Sequence, residues 1–350
     1  MGLITDTSLA ALLVLNIIFL INNVANSKFS EKGCDLYQGN WVYDDSYPLY
    51  DPSECPFIEH QFDCKKNGRP DQDYLKYKWK PNEYGCVLPR FDGVEFLRKL
   101  KGKSLIFVGD SLSLNQWQSL TCMLHVAVPH ATYISERTGG LSNFTFPEYE
   151  VSLLFFRNAF LVDITKDESG RVLRLDSIST TKIWADMDIM IFDTWHWWLH
   201  TGRKQPWDLI AYGNTSVADM DRVTAYTIAL NTWAAWIDSN VDPRKTRVFF
   251  QGVSPDHASR QGSSARDCVE QTQPLRNEVG PNPAERALEE VLSLMQKPVY
   301  LLNITMLSQL RIDGHPSVYG QGGHRLPDCS HWCIAGVPDI WNELLNAALD

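Results

Sequence analysis

The chain has 350 residues, and apolar residues make up 44% of them. This length allows one large domain or two modest ones, and the apolar fraction supports a sizeable core, which excludes general disorder. The formal net charge is −10, so broad electrostatic attraction to nucleic acid is not expected. No internal repeat or low-complexity run is visible, which argues against a solenoid.

The start of the chain is typical of a targeting segment. The run Leu9–Ile21 is apolar apart from Asn16. It is short for a membrane span, which needs roughly 20 residues, and it fits the apolar core of a signal peptide. Small residues at Ala25 and Ser27 suit cleavage. Residues 1–27 are therefore predicted to be a signal peptide or a signal anchor that enters the secretory pathway, with a buried amphipathic helix as the alternative.

Eight cysteines indicate an oxidising compartment. Their number is even and no CxxC pair is present to hold zinc, so disulfides are predicted. Eight cysteines can pair in many ways. We predict the set of four disulfides that would fasten the amino-terminal segment and hold the turn at 328–331 from both sides. The set is Cys34–Cys86, Cys55–Cys122, Cys64–Cys333 and Cys268–Cys329. Glycosylation sequons at Asn143, Asn214 and Asn303 agree weakly with a secretory route.

The remaining chain divides into a Cys-rich, irregular segment over 34–100 and a larger part over 101–350. In the larger part, apolar runs alternate with amphipathic stretches, which predicts an α/β fold with a parallel sheet and helices on both faces. Ligand sites in such sheets form beyond the carboxyl ends of the strands. The predicted strands are Leu105–Val108, Val151–Phe156, Ile189–Phe192, Val248–Phe250 and Val299–Leu302, and the predicted helices are Leu112–Met123, Met220–Ile237, Ala284–Met295 and one after Pro338.

A first chemical motif, Gly109-Asp110-Ser111, directly follows the first predicted strand. A serine at a strand-to-helix turn is exposed for nucleophilic attack, and its backbone amide lies where it can stabilise an oxyanion. Helix capping by Ser111 is the ordinary alternative, because serine and aspartate commonly cap helices.

A second motif is the run from Asp328 to Cys333, which contains His331. Aspartate and histidine three residues apart can face one point, so His331 could take a proton from Ser111 while Asp328 orients the imidazole. The alternative is a disulfide-rich loop with an incidental histidine.

A third cluster follows the strand Ile189–Phe192 and is rich in aromatic side chains. A carbohydrate platform is one interpretation, and a hydrophobic cluster under a loop is the other. His196 and His200 are four residues apart, but no third ligand is evident, so we expect no metal site. The predicted substrate-binding residues are Trp195, His196, Trp197, Trp198 and Trp207.

Taken together, these motifs resemble the SGNH/GDSL hydrolase superfamily and, more specifically, the plant trichome-birefringence-like (TBL) family. The resemblance covers roughly residue 34 to the end. It implies an SGNH-like domain over 101–350, a Ser–His–Asp triad on Ser111, His331 and Asp328, and O-acetylation of cell-wall polysaccharides in the Golgi. The matching residues are Cys34-Asp35, Gly39, Trp41-Val42, Asp44, Tyr50, Cys55-Pro56, Cys64, Val108 to Leu112, His196-Trp197-Trp198, Ser254-Pro255-Asp256-His257 and Asp328 to Cys333.

One position departs from the superfamily. SGNH enzymes commonly use a middle-block asparagine as an oxyanion donor, and Asp193 is its candidate counterpart here. An ionised carboxylate cannot donate a hydrogen bond. The oxyanion hole near Gly109 and Asp110 is therefore expected to rest on the Ser111 amide and on a second group that the sequence does not identify.

Three functions remain open. The leading hypothesis is an O-acetyltransferase without a bound cofactor, which uses an acetyl donor such as acetyl-CoA and a xylan, mannan, xyloglucan or pectin acceptor. The second is an acetylesterase with the same triad, and the third is a catalytically silent polysaccharide-binding protein. The protein is expected in the Golgi membrane, attached only through its amino-terminal segment. The short spacer before Cys34 makes secretion to the wall the alternative.

Overall fold

The structure is a computed structural model that describes residues 34–258, 267–276, 280–320 and 327–350. The predicted targeting segment, residues 1–27, lies outside the described residues. Among the helices of the described ranges, none has the length and apolar character that a membrane crossing needs.

The described residues form short strands and six α-helices, which are numbered here in chain order. Strands β1–β13 are Gly39–Tyr43, Tyr77–Pro81, Ser104–Gly109, Ile134–Thr138, Leu141–Phe146, Val151–Arg157, Asp163–Asp167, Gly170–Arg174, Ile189–Phe192, Leu209–Tyr212, Thr215–Val217, Arg247–Gln251 and Tyr300–Leu302. Helices α1–α6 are Gly93–Lys99, Ser111–Ala127, Arg222–Asn240, Pro283–Leu294, Thr305–Gln309 and Val337–Ala348.

A seven-stranded sheet forms the centre, in the order β13-β12-β9-β3-β6-β5-β4. The five strands from β13 to β6 are parallel, and they are the five that the sequence predicts. The antiparallel strands β5 and β4 extend one edge and were not predicted. From β3 the chain crosses to β6 on one side and then to β9 on the other. The carboxyl ends of β3 and β9 therefore meet at a switch point, where open α/β sheets bind ligands.

Alternating residues of β3 serve two cores, one on each face of the sheet. Leu105 and Phe107 pack with residues of α1, α2 and α6, whereas Ile106 and Val108 pack with residues of α3 and α4. All four side chains are fully buried, as expected for a strand covered on both faces. The predicted α/β architecture is confirmed.

A smaller sheet, in the order β11-β10-β8-β7, lies outside the predicted elements. It contributes Leu173 and Ile210 to the core on the α3 side. The turn between β10 and β11 carries Asn214, which is exposed, whereas Asn143 on β5 and Asn303 after β13 are half-buried.

The amino-terminal segment is an irregular layer fastened to the α/β part. Its β1 and β2 pair antiparallel, and a buried arginine, Arg69, donates to the carbonyl oxygens of Asp313 and His315. All eight cysteines are paired in the combination that the sequence analysis chose: Cys34–Cys86, Cys55–Cys122, Cys64–Cys333 and Cys268–Cys329.

Candidate active site

The chain turns sharply from β3 into α2 at Gly109. A Cβ atom there would overlap Ser113 Oγ and the carbonyl oxygen of Asp193, so only glycine fits. Asp110 is the N-cap, because its Oδ1 accepts from Leu112 N–H at 2.8 Å. The helix is therefore capped by Asp110 and not by Ser111. Ser111 is the first residue of the helix and is 7% exposed.

The structure brings Ser111, His331 and Asp328 together in one hydrogen-bonded chain. Ser111 Oγ lies 2.7 Å from His331 Nε2, and His331 Nδ1 lies 2.7 Å from Asp328 Oδ2. Because a carboxylate only accepts, Nδ1 carries the proton and Nε2 is free to accept from the serine hydroxyl. Asp328 Oδ1 accepts from the backbone N–H groups of Ser330 and His331, each at 3.1 Å. This is the geometry of an activated serine nucleophile.

The pKa values of the two titrating groups agree with that assignment. Burial by itself lowers the pKa of His331, but the neighbouring Asp328 carboxylate outweighs it and raises the pKa above its ordinary value. For Asp328, burial raises the pKa, while the charge and hydrogen bonds of His331 lower it far more. Asp328 therefore stays ionised, as the role of the carboxylate in a Ser–His–Asp triad requires.

The turn that carries His331 is held from several sides. The disulfides at Cys329 and Cys333 lie on either side of it, and the Phe62 ring packs 5.5 Å from the His331 ring between centroids. Asn115 on α2 hydrogen-bonds both backbone groups of Trp332. The sequence analysis did not identify Asn115, although its position one helical turn after Ser111 places it on the same helix face.

Asp193 lies behind the nucleophile turn, facing Asp110. Asp110 Oδ2 has no donor within the described part of the chain unless the carboxyl group of Asp193 keeps its proton. Burial, and then the charge of Asp110, raise the pKa of Asp193 well above its ordinary value, which favours the protonated form that can donate to Asp110. Asp193 Oδ2 also lies 3.5 Å from Ser113 Oγ, so it supports the start of α2.

Two of the tryptophans that were predicted to bind carbohydrate are buried in the core instead. Trp198 and Trp207 are 0% and 1% exposed and pack with Phe160 in the core under α3. Trp198 also donates to Thr194 Oγ1 at 2.9 Å. Neither ring offers a face for stacking, because the loop after β9 folds inward over the core. For these two residues, the alternative of a hydrophobic cluster under a loop is the one observed.

The other three members of the cluster differ in their relation to the site. The His196 ring lies 5.8 Å from the His331 ring between centroids, and Trp197, half-buried, packs edge-on to His200. Trp195 is mostly buried against Tyr226. It also lines a cleft of about 340 Å³, together with Leu199, Val223, the run Ser254 to His257, the run Gly280 to Pro283, and Gln309. This cleft lies beside residues 328–333, called the catalytic turn below, because Ser254 Oγ accepts from Trp332 Nε1 at 2.9 Å.

The chain matches two protein families and is similar to several known plant proteins. Residues 88–348 match the PC-Esterase family, a GDSL/SGNH-like acyl-esterase family found in Pmr5 and Cas1p, and residues 32–86 match the PMR5 N-terminal domain. The chain is 54% identical to the protein trichome birefringence-like 43 of Arabidopsis thaliana, with 98% of this chain and 97% of the relative covered. It is also 54% identical to trichome birefringence-like 41 of the same plant, with 90% of each chain covered.

Proposed function

This chain belongs to the plant trichome birefringence-like family, with a GDSL/SGNH-like acyl-esterase domain, and on that premise we propose that it is a polysaccharide O-acetyltransferase. It transfers acetyl groups to hydroxyl groups of cell-wall polysaccharides through an acyl-enzyme on Ser111. The observation that carries the proposal is the pair of 2.7 Å contacts that join Ser111 to His331 and His331 to Asp328.

The reaction divides into two proton-balanced halves. In the first, Ser111 Oγ attacks the acetyl carbonyl carbon while its proton passes to His331 Nε2, and the donor's leaving group departs with that proton. In the second, His331 takes the proton of a sugar hydroxyl, whose oxygen attacks the acetyl-serine, and returns it to Ser111 as the ester breaks. Asp328 stays ionised throughout and stabilises the imidazolium.

The negative oxygen that develops in each half lies near the start of α2. The backbone N–H of Ser111 is at the first position of that helix, where N–H groups have no intrahelical partner and the helix dipole favours negative charge. This amide is the oxyanion donor that we assign. One such donor typically contributes about 3–4 kcal/mol to transition-state stabilisation.

Transfer requires that a sugar hydroxyl reaches the acetyl-serine before water does. Ser111 is 7% exposed and the His331 side chain 15% exposed, which limits the contact of both with water. We place the acceptor in the cleft lined by Trp195 and Ser254 to His257. Positioning of this kind turns a bimolecular attack into an effectively intramolecular one. The acetyl donor, such as acetyl-CoA, is a co-substrate rather than a bound cofactor.

We further propose that the protein works in the secretory pathway, in the Golgi lumen or after secretion to the wall. The four disulfides support an oxidising compartment. Asn214 is the most exposed of the three sequon asparagines, so we assign it as the best glycosylation acceptor.

The experiment is a donor and acceptor panel with purified protein. Acetyl donors are incubated with xylan, mannan, xyloglucan and pectin, and both bound and free acetate are measured. A transferase yields acetylated polymer that disappears in Ser111→Ala. Release of free acetate at the same rate with every polymer, with no acetylated sugar, would replace the transferase with an acetylesterase. Polymer binding without any turnover would replace both with a binding protein.

A further inference from the structure

A buried line of hydrogen-bond contacts lies directly behind the catalytic turn. His315 Nδ1 lies 2.6 Å from the carbonyl oxygen of His331, and His315 Nε2 lies 2.6 Å from His257 Nδ1. His257 Nε2 then lies 3.0 Å from the carbonyl oxygen of Gln309. His315 is 1% exposed. Neither histidine takes part in the proton transfers proposed above, although His257 also lines the cleft assigned to the acceptor.

The proton positions in this line follow from the partners. A carbonyl oxygen only accepts, so His315 Nδ1 carries a proton that it donates to His331. In a neutral His315, Nε2 is then an acceptor, and His257 must donate to it from Nδ1. Two neutral rings carry two protons for these three contacts, so one contact lacks a proton. We assign the protons to the two 2.6 Å contacts, in which His257 donates to His315 and His315 donates to the main chain of His331, and this leaves the 3.0 Å contact of His257 Nε2 with the Gln309 carbonyl oxygen without a proton.

We propose that His315 and His257 are positioning residues for the acyl transfer: His315 holds the main chain of His331, and His257 holds the tautomer of His315. This rests on the proposed function, in which His331 is the base. His257 acts on His315 as Asp328 acts on His331. In both pairs, the partner of one ring nitrogen determines which nitrogen of the imidazole carries the proton.

Other contacts of His315, His257 and Ser254 also hold the catalytic turn in place. The His315 ring stacks on Trp332 at 4.0 Å between centroids, with 25° between their planes. The backbone N–H of His257 donates to the carbonyl oxygen of Cys329 at 3.0 Å. Because Ser254 also accepts from the Trp332 indole, the run Ser254 to His257 holds the catalytic turn through its first and last residues.

The protonation of the pair depends on its surroundings. Burial lowers the pKa of His257 and lowers that of His315 well below its ordinary value, which keeps the pair at two protons near pH 7. The charged or titratable groups that face it are Asp256, Asp313, Asp328, His331 and, through the carbonyl of His315, Arg69.

The test compares three variants of the full chain with the wild type. His315→Phe keeps an aromatic ring against Trp332 but removes both ring nitrogens. His315→Asn returns an amide N–H near the position of Nδ1. His125→Phe is the matched control, since His125 also lies in an aromatic cluster, with Phe57 and Tyr133, but outside the catalytic turn. The readouts are the NMR signal of the His331 Nδ1 proton and the rate at which a fluorophosphonate labels Ser111.

A positioning role predicts that His315→Phe shifts the His331 proton signal and slows labelling up to about 100-fold, the cost of a displacement near 1 Å. His315→Asn should recover much of both, and His125→Phe should change neither. An unchanged His331 signal in folded His315→Phe would overturn the inference, whatever the labelling rate. A wild-type chain that the fluorophosphonate does not label would contradict the nucleophile itself, and the His331 signal would still decide the positioning role.

Discussion

Asn115 and Trp332 exchange two hydrogen bonds across the interface between the nucleophile helix and the catalytic turn. Asn115 Oδ1 accepts from Trp332 N–H at 2.7 Å, and Asn115 Nδ2 donates to the carbonyl oxygen of Trp332 at 3.1 Å. Asn115 lies one turn after Ser111 on α2, and Trp332 follows His331. One fully buried amide therefore sets the spacing between the nucleophile and its base.

Replacing Asn115 with leucine should lower both stability and activity. The Trp332 N–H and carbonyl groups would lose their partners while buried, at a cost of about 1–3 kcal/mol each. We expect a reduced free energy of unfolding and a larger fractional loss in kcat/KM than unfolding accounts for. Urea unfolding and acetyl turnover measure the two. Asn231→Leu, at an exposed site on α3, is the control, and wild-type turnover in Asn115→Leu would contradict the assignment.

The acid limb of the activity profile should lie above the ordinary histidine pKa of about 6.5. His331 must be neutral to accept the serine proton, and Asp328 raises its pKa, so activity falls as the pH drops through that raised value. Asp328→Asn should move the limb to lower pH and greatly reduce the maximal rate, because the imidazole loses its counter-charge. The measurement is kcat/KM against pH. A limb below pH 6.5 in the wild type would refute this account of His331.

Two buried acids on α6 should contribute less to stability as the pH rises from about 4 to 7. Burial raises the pKa of Asp339 to about 6 and that of Glu343 to about 7. Asp339 accepts from Ser119, and both acids contact tyrosines of the amino-terminal segment. Raised values mean that their stabilising contribution is complete below their unfolded pKa values and is lost as the pH rises through the folded ones.

The measurement is the free energy of unfolding from pH 4 to pH 7, in the wild type and in Asp339→Asn combined with Glu343→Gln. The difference in the free energy of unfolding between the double variant and the wild type should shift in favour of the variant as the pH rises over this range, since neither amide titrates. A difference that stays constant with pH would contradict the assignment to these two acids.

Asp193→Asn should be tolerated far better than Asp193→Leu. An amide donates to Asp110 Oδ2 without needing a retained proton, whereas leucine leaves that buried oxygen without a donor. We expect near-wild-type unfolding for Asp193→Asn and a loss of about 1–3 kcal/mol or more for Asp193→Leu. Equal destabilisation by both would mean that Asp193 does not act as a donor.

The sequence predicted those features that depend on short-range patterns. The five parallel strands are continuous apolar runs such as Ile189–Phe192, and the nucleophile follows one of them directly. The antiparallel strands β4 and β5 were not predicted. Every side chain of the edge strand β4 is exposed, so its pattern differs little from that of a loop.

Other features depend on tertiary packing and so could not be derived from spacing. Trp197 and Trp198 are neighbours in the chain, yet the first is half-buried and the second is fully buried. The difference arises from how the loop after β9 packs against α3. Asn115 and His315 likewise acquire their partners only when α2 and the region around residue 315 meet the turn at 328–333.

The most direct measurement of the central claim is intact-mass analysis of the protein during turnover with an acetyl donor. The account predicts one added acetyl group on Ser111, absent in Ser111→Ala, which accumulates without acceptor and disappears quickly when the preferred polysaccharide is added. Acetylated polymer that forms at the wild-type rate in Ser111→Ala, with no acetyl group on the wild-type serine at any time, would contradict the serine acyl-enzyme.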